Sequence, residues 1–356
     1  MKAAVTINSG TGCHVSKVES GGTMAGFMPG ACHRPGACLI IRLSMSKLKC
    51  AVIGAGYLGK FHAEKYASLK DCELVAVVDI NEDAAKLVAE KYGAAPLTDY
   101  QPLLGQVDAV SIVVPTTLHH KVSRDFLNAG AHVLVEKPIT VTVEEADDLI
   151  AIAKEKNVIL QVGHLERFNP AVRGLENLEE KPLFIESHRL SPFNPRANDV
   201  SVVLDLMIHD IDIILALVGS EVEKIDASGT AVLTKGTDIA NARITFKNGC
   251  VANVTASRIS MKMERKMRMF RPCSYISVDF QNRVLVKHRT GEKEMFPGIP
   301  EIVTEESVFD SGDALFEEIK HFVHCIKTGE NPLVPGEAGR KALATAIEIT
   351  KFLTHG

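Results

Sequence analysis

Val52-Ile-Gly-Ala-Gly-Tyr-Leu-Gly59 constrains this chain more than any other stretch, because an apolar strand there runs directly into G-x-G-x-x-G. The next apolar run, Val75-Ala-Val-Val-Asp79, ends in an acid 20 residues past Gly59, the spacing of a βαβ unit that binds a dinucleotide. Each glycine has a mechanical task in that reading. Gly54 permits the tight turn off the strand, Gly56 lets a pyrophosphate approach the backbone, and Gly59 lets the following helix pack on the sheet. The unpaired amides and dipole at that helix start favour an anion, with Tyr57 and Leu58 in the same loop as further cofactor contacts. Asp79 is placed to accept from the adenosine ribose hydroxyls and to repel a 2′-phosphate, which favours NAD over NADP. The competing readings are a glycine-rich turn without a nucleotide and an Asp79 that only caps its strand.

A chain of 356 residues exceeds what one hydrophobic core usually serves, so two domains are expected. The balance of 40 basic and 44 acidic side chains, net charge −4, implies no general affinity for nucleic acid or membrane. No apolar run approaches the roughly 18 residues that a bilayer span needs. Eight cysteines occur without a C-x-x-C pair. Cys50, Cys72, Cys250 and Cys325 sit inside apolar patterns, a usage that suits a reducing cytoplasm. Residues 1–44 are rich in glycine and small side chains and have none of the three parts of a signal peptide. Met45-Ser-Lys-Leu-Lys leads straight into the first strand. The expectation is that Met45 is the natural start and that 1–44 come from a misplaced upstream start codon, which the intact mass of the native protein tests. Cys32, His33 and Cys38 match no common zinc spacing, and no metal is expected.

From Lys49 to Val162, β-branched runs at Cys50–Gly54, Leu74–Asp79, Ala109–Val114, His132–Glu136 and Val158–Val162 alternate with amphipathic segments. Glu82–Tyr92, Leu118–Ala129 and Val143–Glu155 have helical spacing. This alternation predicts a doubly wound, parallel Rossmann sheet, with ligands at the carboxyl ends of its strands. Beyond Gly163 one helix, Asp205–Leu217, precedes strand-like runs at Lys224–Leu233, Asn241–Phe246, Val251–Arg258, Lys266–Phe270, Tyr275–Asp279 and Val284–His288. Lys247-Asn-Gly249 and Thr290-Gly291 read as turns of an antiparallel meander. Two closing helices follow, Asp313–Lys327 and Glu337–Leu353. The expected fold is therefore α/β, with a second α+β domain built on a large, mostly antiparallel, open-faced sheet. The expected division is an extension over 1–44, a cofactor domain over 45–163, a substrate and oligomerisation domain over 164–335, and a helix over 336–356 returning to the first domain.

The motifs together resemble the Gfo/Idh/MocA family of NAD(P)-dependent sugar and polyol oxidoreductases, from about Lys47 to the C-terminus. The likeness rests on the glycine fingerprint, Pro115-Thr-Thr-Leu-His119, Gly130-Ala-His-Val-Leu-Val-Glu-Lys-Pro138 and Asp205-Leu-Met-Ile-His209-Asp-Ile-Asp212. It implies that Lys137, Asp205 and His209 surround the nicotinamide and the reacting carbinol. It also implies that Pro115, Thr116, His119, Glu136 and Lys137 line the cofactor. Oxidising a secondary alcohol requires a group of near-neutral pKa within reach of the hydroxyl proton, and histidine meets that requirement. On a helix, Asp205 and His209 share a face, so the carboxylate is expected to orient the imidazole and support its charged form. Lys137 is expected to hydrogen-bond the reacting oxygen, and the division of proton transfer between Lys137 and His209 stays open. Taken alone, the pair reads as a solvated helix pair, and His120 as simply exposed.

Gly163-His-Leu-Glu-Arg-Phe-Asn-Pro170, Arg189-Leu-Ser-Pro-Phe-Asn-Pro-Arg196 and the stretch from Asp199 to Asp212 look like the branch that oxidises the 3-hydroxyl of UDP-N-acetylglucosamine. That branch supplies a 3-keto sugar nucleotide to a PLP-dependent aminotransferase, on the way to diamino sugars of lipid A or related glycans. A sugar nucleotide needs cations at its diphosphate, for which Arg167, Arg189 and Arg196 are candidates, with Asn169 beside them. The basic stretch Lys262–Arg271 alternates with Met267 and Met269 and reads mainly as a strand, at a subunit interface by analogy. Two alternatives stand beside this reading: a dehydrogenase of a free polyol or sugar such as an inositol, and a dinucleotide-sensing regulator without turnover. Relatives pair through the second-domain sheet, so a homodimer or tetramer is expected by analogy.

Overall fold

The computed structural model describes residues 47–175, 181–194, 200–310 and 312–353. The expected N-terminal extension, with Cys13, Cys32, His33 and Cys38, and the candidate ligand Arg196 lie outside the described residues.

The first sheet contains β1 (Leu48–Ile53), β2 (Cys72–Val78), β3 (Ala95–Leu97), β4 (Ala109–Ile112), β5 (His132–Glu136) and β6 (Leu160–Gly163). All pairings are parallel, in the order β3-β2-β1-β4-β5-β6. Successive side chains of a strand point to opposite faces. Accordingly Ala51 and Ile53 of β1 enter one apolar cluster while Cys50 and Val52 enter the other, and β1 reads apolar throughout because both faces are covered. The crossovers are α1 (Gly59–Ser68), α2 (Glu82–Tyr92), α3 (Thr116–Asn128) and α4 (Val143–Lys156). Helix α2 starts where Asn81 accepts from the Ala84 amide and stops at Gly93, φ 68°. Helix α4 has a reciprocal cap between Thr142 and Glu145 and ends at Asn157 in the left-handed region. Strand order reverses between β1 and β4, so the crevice for a ligand opens above their carboxyl ends.

The chain then makes a short helix, α5 (Pro170–Arg173), the central strand β7 (Phe184–Leu190), a π-helical turn (Val203–Met207) and α6 (Ile208–Val218). Seven strands complete the second sheet: β8 (Val222–Thr230), β9 (Ile239–Phe246), β10 (Val251–Ser257), β11 (Glu264–Arg271), β12 (Ser274–Asp279), β13 (Val284–Phe296) and β14 (Ile299–Val308). Their order is β14-β13-β12-β11-β7-β10-β9-β8, antiparallel except where β7 runs parallel to β10. Helix α6 covers one face, where Ile208, Ile211 and Ile214 meet Ile185, Ala252, Val254 and Met267. The simple meander is corrected by β7, which inserts between β11 and β10 and reaches them from far along the chain. Thr290-Gly291 is no turn either. It falls within β13, beside an irregularity of the ladder, and the reversal comes at Gly298, φ 77°.

Two helices close the molecule. Helix α7 (Ala314–Thr328) lies on α1, and α8 (Gly336–Leu353) touches α4 and β6 on one side, α6 and β8 on the other. A Cβ at Gly339 would lie 2.6 Å from a Val162 methyl, so only glycine lets α8 approach β6 this closely.

Candidate active site

The glycine loop is built by steric necessity. Gly54 has φ +105°, and a Cβ there would come within 2.3 Å of the Val113 carbonyl oxygen; at Gly59 it would strike the Gly54 carbonyl at 1.8 Å. Gly56 faces open space, with nothing within 4 Å of its would-be Cβ. Among the described residues, the amides of Gly56, Tyr57, Leu58 and Gly59 meet no acceptor. Asp79 Oδ2 accepts from the Ala55 amide at 2.7 Å and Oδ1 from Asn81 at 2.9 Å, so the acid also holds the loop. Free amides, an open approach at Gly56 and an acid at the neighbouring strand end fit the pyrophosphate and ribose of a dinucleotide.

Pro115 precedes α3 and Thr116 begins it, beside that crevice. His119 is buried, its Nδ1 2.8 Å from the Pro138 carbonyl oxygen and its Nε2 2.8 Å from that of Val114. Burial lowers its pKa, with both carbonyls opposing. Its placement ties together the loops that follow β4 and β5. His120 is not simply exposed: it is half-buried and lies 2.8 Å from Asp148 Oδ2, which draws it onto α4.

Glu136 ends β5 and Lys137 follows it. Glu136 Oε1 lies 3.0 Å from His62 Nε2, and His62 Nδ1 continues to Ser111 Oγ at 3.1 Å and thence to Tyr66. Burial acts to raise the Glu136 pKa, but the His62 contact and Lys137 outweigh it and the carboxyl falls below its usual range. Lys137 Nζ donates to the Asp205 carbonyl at 2.8 Å and lies 3.7 Å from the Asp205 carboxylate. Burial lowers its pKa, opposed by Asp205 and Glu136. The cation is held in the cleft yet is easier to deprotonate than a surface lysine.

The expected Asp205–His209 couple is corrected. Asp205 lies in the π-helical turn, whose wider winding shifts the usual four-residue phase, and both its carbonyl and its carboxylate serve Lys137. His209 Nδ1 is buried without a partner among the described residues. Burial drives its pKa well below the usual imidazole range, and the neighbouring Lys137, Arg189, His164 and Arg265 push the same way. The imidazole is therefore neutral near pH 7, ready to accept a proton. Around it, both nitrogens of His164 and Asp212 Oδ2 also lack partners.

Arg189 is corrected as a ligand candidate. It is 3% exposed; its Nε and Nη2 bind the two oxygens of Asp210 at 2.8 and 3.1 Å, and Nη1 binds Glu166 at 3.0 Å. The guanidinium is spent on bracing α6 against β7. Asn169 is likewise committed: Oδ1 accepts from the Ala171 amide to cap α5, and Nδ2 donates to the Phe280 carbonyl. Arg167 stays at the cleft, 13% exposed and 3.5 Å from Asp212. Sequence reasoning missed His62, Glu166, Asp210 and Arg265. Glu166 and Asp210 lie in motifs already singled out, but their partners are 23 and 21 residues from them in sequence.

Fold and cleft define an NAD-binding Rossmann oxidoreductase. Residues 48–164 match the family described as oxidoreductase family, NAD-binding Rossmann fold, and residues 182–270 match the GFO/IDH/MocA C-terminal domain. The UDP-N-acetylglucosamine 3-dehydrogenase of Acidithiobacillus ferrooxidans is 40% identical over 306 residues, covering 86% of this chain and 97% of that protein. A solved structure of that name superposes with a TM-score of 0.83 at 40% identity, over 87% of this chain and 99% of the other. The scyllo-inositol 2-dehydrogenase (NAD(+)) of Bacillus subtilis is 27% identical, covering 87% of this chain and 95% of its own. The chain belongs to the Gfo/Idh/MocA oxidoreductase family.

Proposed function

We propose that this protein oxidises the 3-hydroxyl of UDP-N-acetylglucosamine to the 3-keto sugar nucleotide with NAD. The observation that carries the chemistry is the convergence of a neutral, buried His209 and the Asp205-anchored Lys137 at the carboxyl end of β5. The full-length similarity to a UDP-N-acetylglucosamine 3-dehydrogenase supports the substrate.

His209 takes the hydroxyl proton; its depressed pKa keeps it unprotonated until then. Lys137 donates to the same oxygen and stabilises negative charge that develops there, while Asp205 holds the ammonium in place. Glu136, fixed by His62, presents its carboxylate beside that lysine. The bound dinucleotide supplies the hydride acceptor; the amides of Gly56–Gly59 hold its pyrophosphate and Asp79 its adenosine ribose, which disfavours NADP. The proposed division is a cofactor domain over 45–163, a substrate and assembly domain over 164–335 and a returning helix over 336–356. We also propose a cytoplasmic homodimer or tetramer, whose keto product passes to a PLP-dependent aminotransferase for lipid A or a related glycan. Among the described residues no helix is long and apolar enough to cross a membrane.

The test is absorbance of NADH after mixing protein and NAD with UDP-N-acetylglucosamine, free N-acetylglucosamine or myo-inositol, with a carbonyl trap to pull the equilibrium. Signal with the sugar nucleotide alone is expected. Signal with the free polyol would move the protein toward its inositol-oxidising relatives, and silence despite tight NAD binding would favour a regulator.

A further inference from the structure

The second sheet presents an arginine to the cleft from a strand that also fills the core. On β11, Arg265, Met267 and Met269 share one face, because alternate residues of a strand point the same way. Both methionines are fully buried in the cluster beneath α6, so the face is the inner one. Arg265 stands directly opposite Arg189 on β7, at the end nearer the cleft, and its side chain is 42% exposed. Among the described residues its partner is Glu166 Oε1 at 3.5 Å, an oxygen that already accepts from Arg189 at 3.0 Å. Asp210 is taken by Arg189, Asp212 faces Arg167 at 3.5 Å, and Asp205 serves Lys137. The nearby carboxylates are thus assigned to other cations, and Arg265 keeps a half-open guanidinium on the wall that also bears on His209.

We infer that Arg265 is the diphosphate contact of the substrate cleft, using the fork of N–H donors that Arg189 cannot offer. The inference rests on the sugar-nucleotide reading above and adds the residue that would discriminate a nucleotide-linked sugar from a free one. A guanidinium matches phosphate oxygens with paired, charge-assisted hydrogen bonds. Its place on the wall suits a ligand whose C3 hydroxyl meets His209 and whose diphosphate leaves from C1 of the same ring. Arg167, already drawn toward Asp212, is a weaker second contact. Lys266, next in sequence, points to the other face, 3.8 Å from Asp279.

Calorimetric titration of the NAD-loaded protein with UDP, uridine and pyrophosphate tests this. Wild type should bind UDP and pyrophosphate; Arg265→Ala should weaken both roughly 10- to 100-fold and Arg265→Glu further. Uridine affinity and NAD affinity should stay at the wild-type level, as should every affinity in Lys266→Ala, and unchanged melting would confirm intact variants. Equal UDP and pyrophosphate affinities in wild type and Arg265→Ala would overturn the inference while leaving the sugar-nucleotide reading in place. Pyrophosphate binding that depends on Arg265, in a wild type without affinity for UDP or uridine, would support an anion contact and overturn the nucleotide reading. A wild type that binds no phosphate probe would overturn the inference.

Discussion

Replacing Arg189 by alanine separates a structural brace from a phosphate ligand. The side chain makes three hydrogen bonds of 2.8–3.1 Å to Asp210 and Glu166, and Asp210 is 1% exposed. Removing one partner of a buried pair leaves the other charge uncompensated, at a cost of about 3–5 kcal/mol. Folded chains have a total stability of only about 5–15 kcal/mol, so this is a large fraction of it. At about 2–4 °C per kcal/mol the melting temperature should drop by roughly 6–20 °C. A ligand arginine with no structural duty would cost within about 0.5 kcal/mol, or 2 °C at most. Thermal and urea melts of the ligand-free protein measure the difference. The double variant Arg189→Met with Asp210→Leu should recover part of the loss, because the more deeply buried acid leaves with its partner while Glu166 keeps Arg265 at 3.5 Å. An Arg189→Ala protein that melts within 2 °C of wild type but loses UDP affinity would refute the brace and restore Arg189 as a ligand.

Lys137→Ala and His209→Ala should each lower turnover by roughly 10²–10⁴-fold with NAD affinity near wild type, and normal turnover in both would remove them from the chemistry. Because burial and the neighbouring Lys137 and Arg189 push His209 well below the usual imidazole range, kcat/KM should hold through neutral pH and lose the His209 base only on the acid side. An acid limb above pH 7 would contradict a neutral base. Asp79→Ala should weaken NAD and narrow its advantage over NADP, since the variant loses both a ribose acceptor and the latch on the Ala55 amide; a titration with both dinucleotides reads this directly. Glu318 is fully buried with both oxygens unpartnered among the described residues, and burial, then Glu136, raises its pKa well above the usual value. The folded state therefore keeps a proton that the unfolded chain releases above about pH 4.3, so wild type loses stability as pH rises. Glu318→Gln removes that dependence, and its melting advantage should be larger at pH 7.5 than at pH 5; an equal difference at both would show that Glu318 is ionised when folded.

The first domain was legible because its signals are local. Periodicity gives α2 over Glu82–Tyr92 and caps give its ends, and the glycine spacing finds a loop where a Cβ cannot fit at Gly54 or Gly59. The short edge strand β3 carries Pro96 and is too short to show a strand period in the sequence. β7 was missed because Phe184–Leu190 alternates with charged residues and its arginine looked like a ligand; only pairing with β10 and β11 makes it a strand. The site itself was half legible. Motifs located Lys137, Asp205 and His209, but a helical wheel could not show a π-helical turn diverting Asp205 to a lysine 68 residues earlier. Arg265 lay in a basic stretch that reads mainly as a strand at a subunit interface, and which arginine stays open in the cleft depends on carboxylates brought in by distant elements.

Mass spectrometry of the reduced cofactor after incubation of the protein with NAD and UDP-N-acetylglucosamine deuterated at C3 tests the central claim most directly. The account predicts one deuterium carried into the cofactor and a keto sugar nucleotide lighter by that label, both absent in His209→Ala. Reduced cofactor without deuterium, or label transfer from a free polyol and none from the sugar nucleotide, would contradict it.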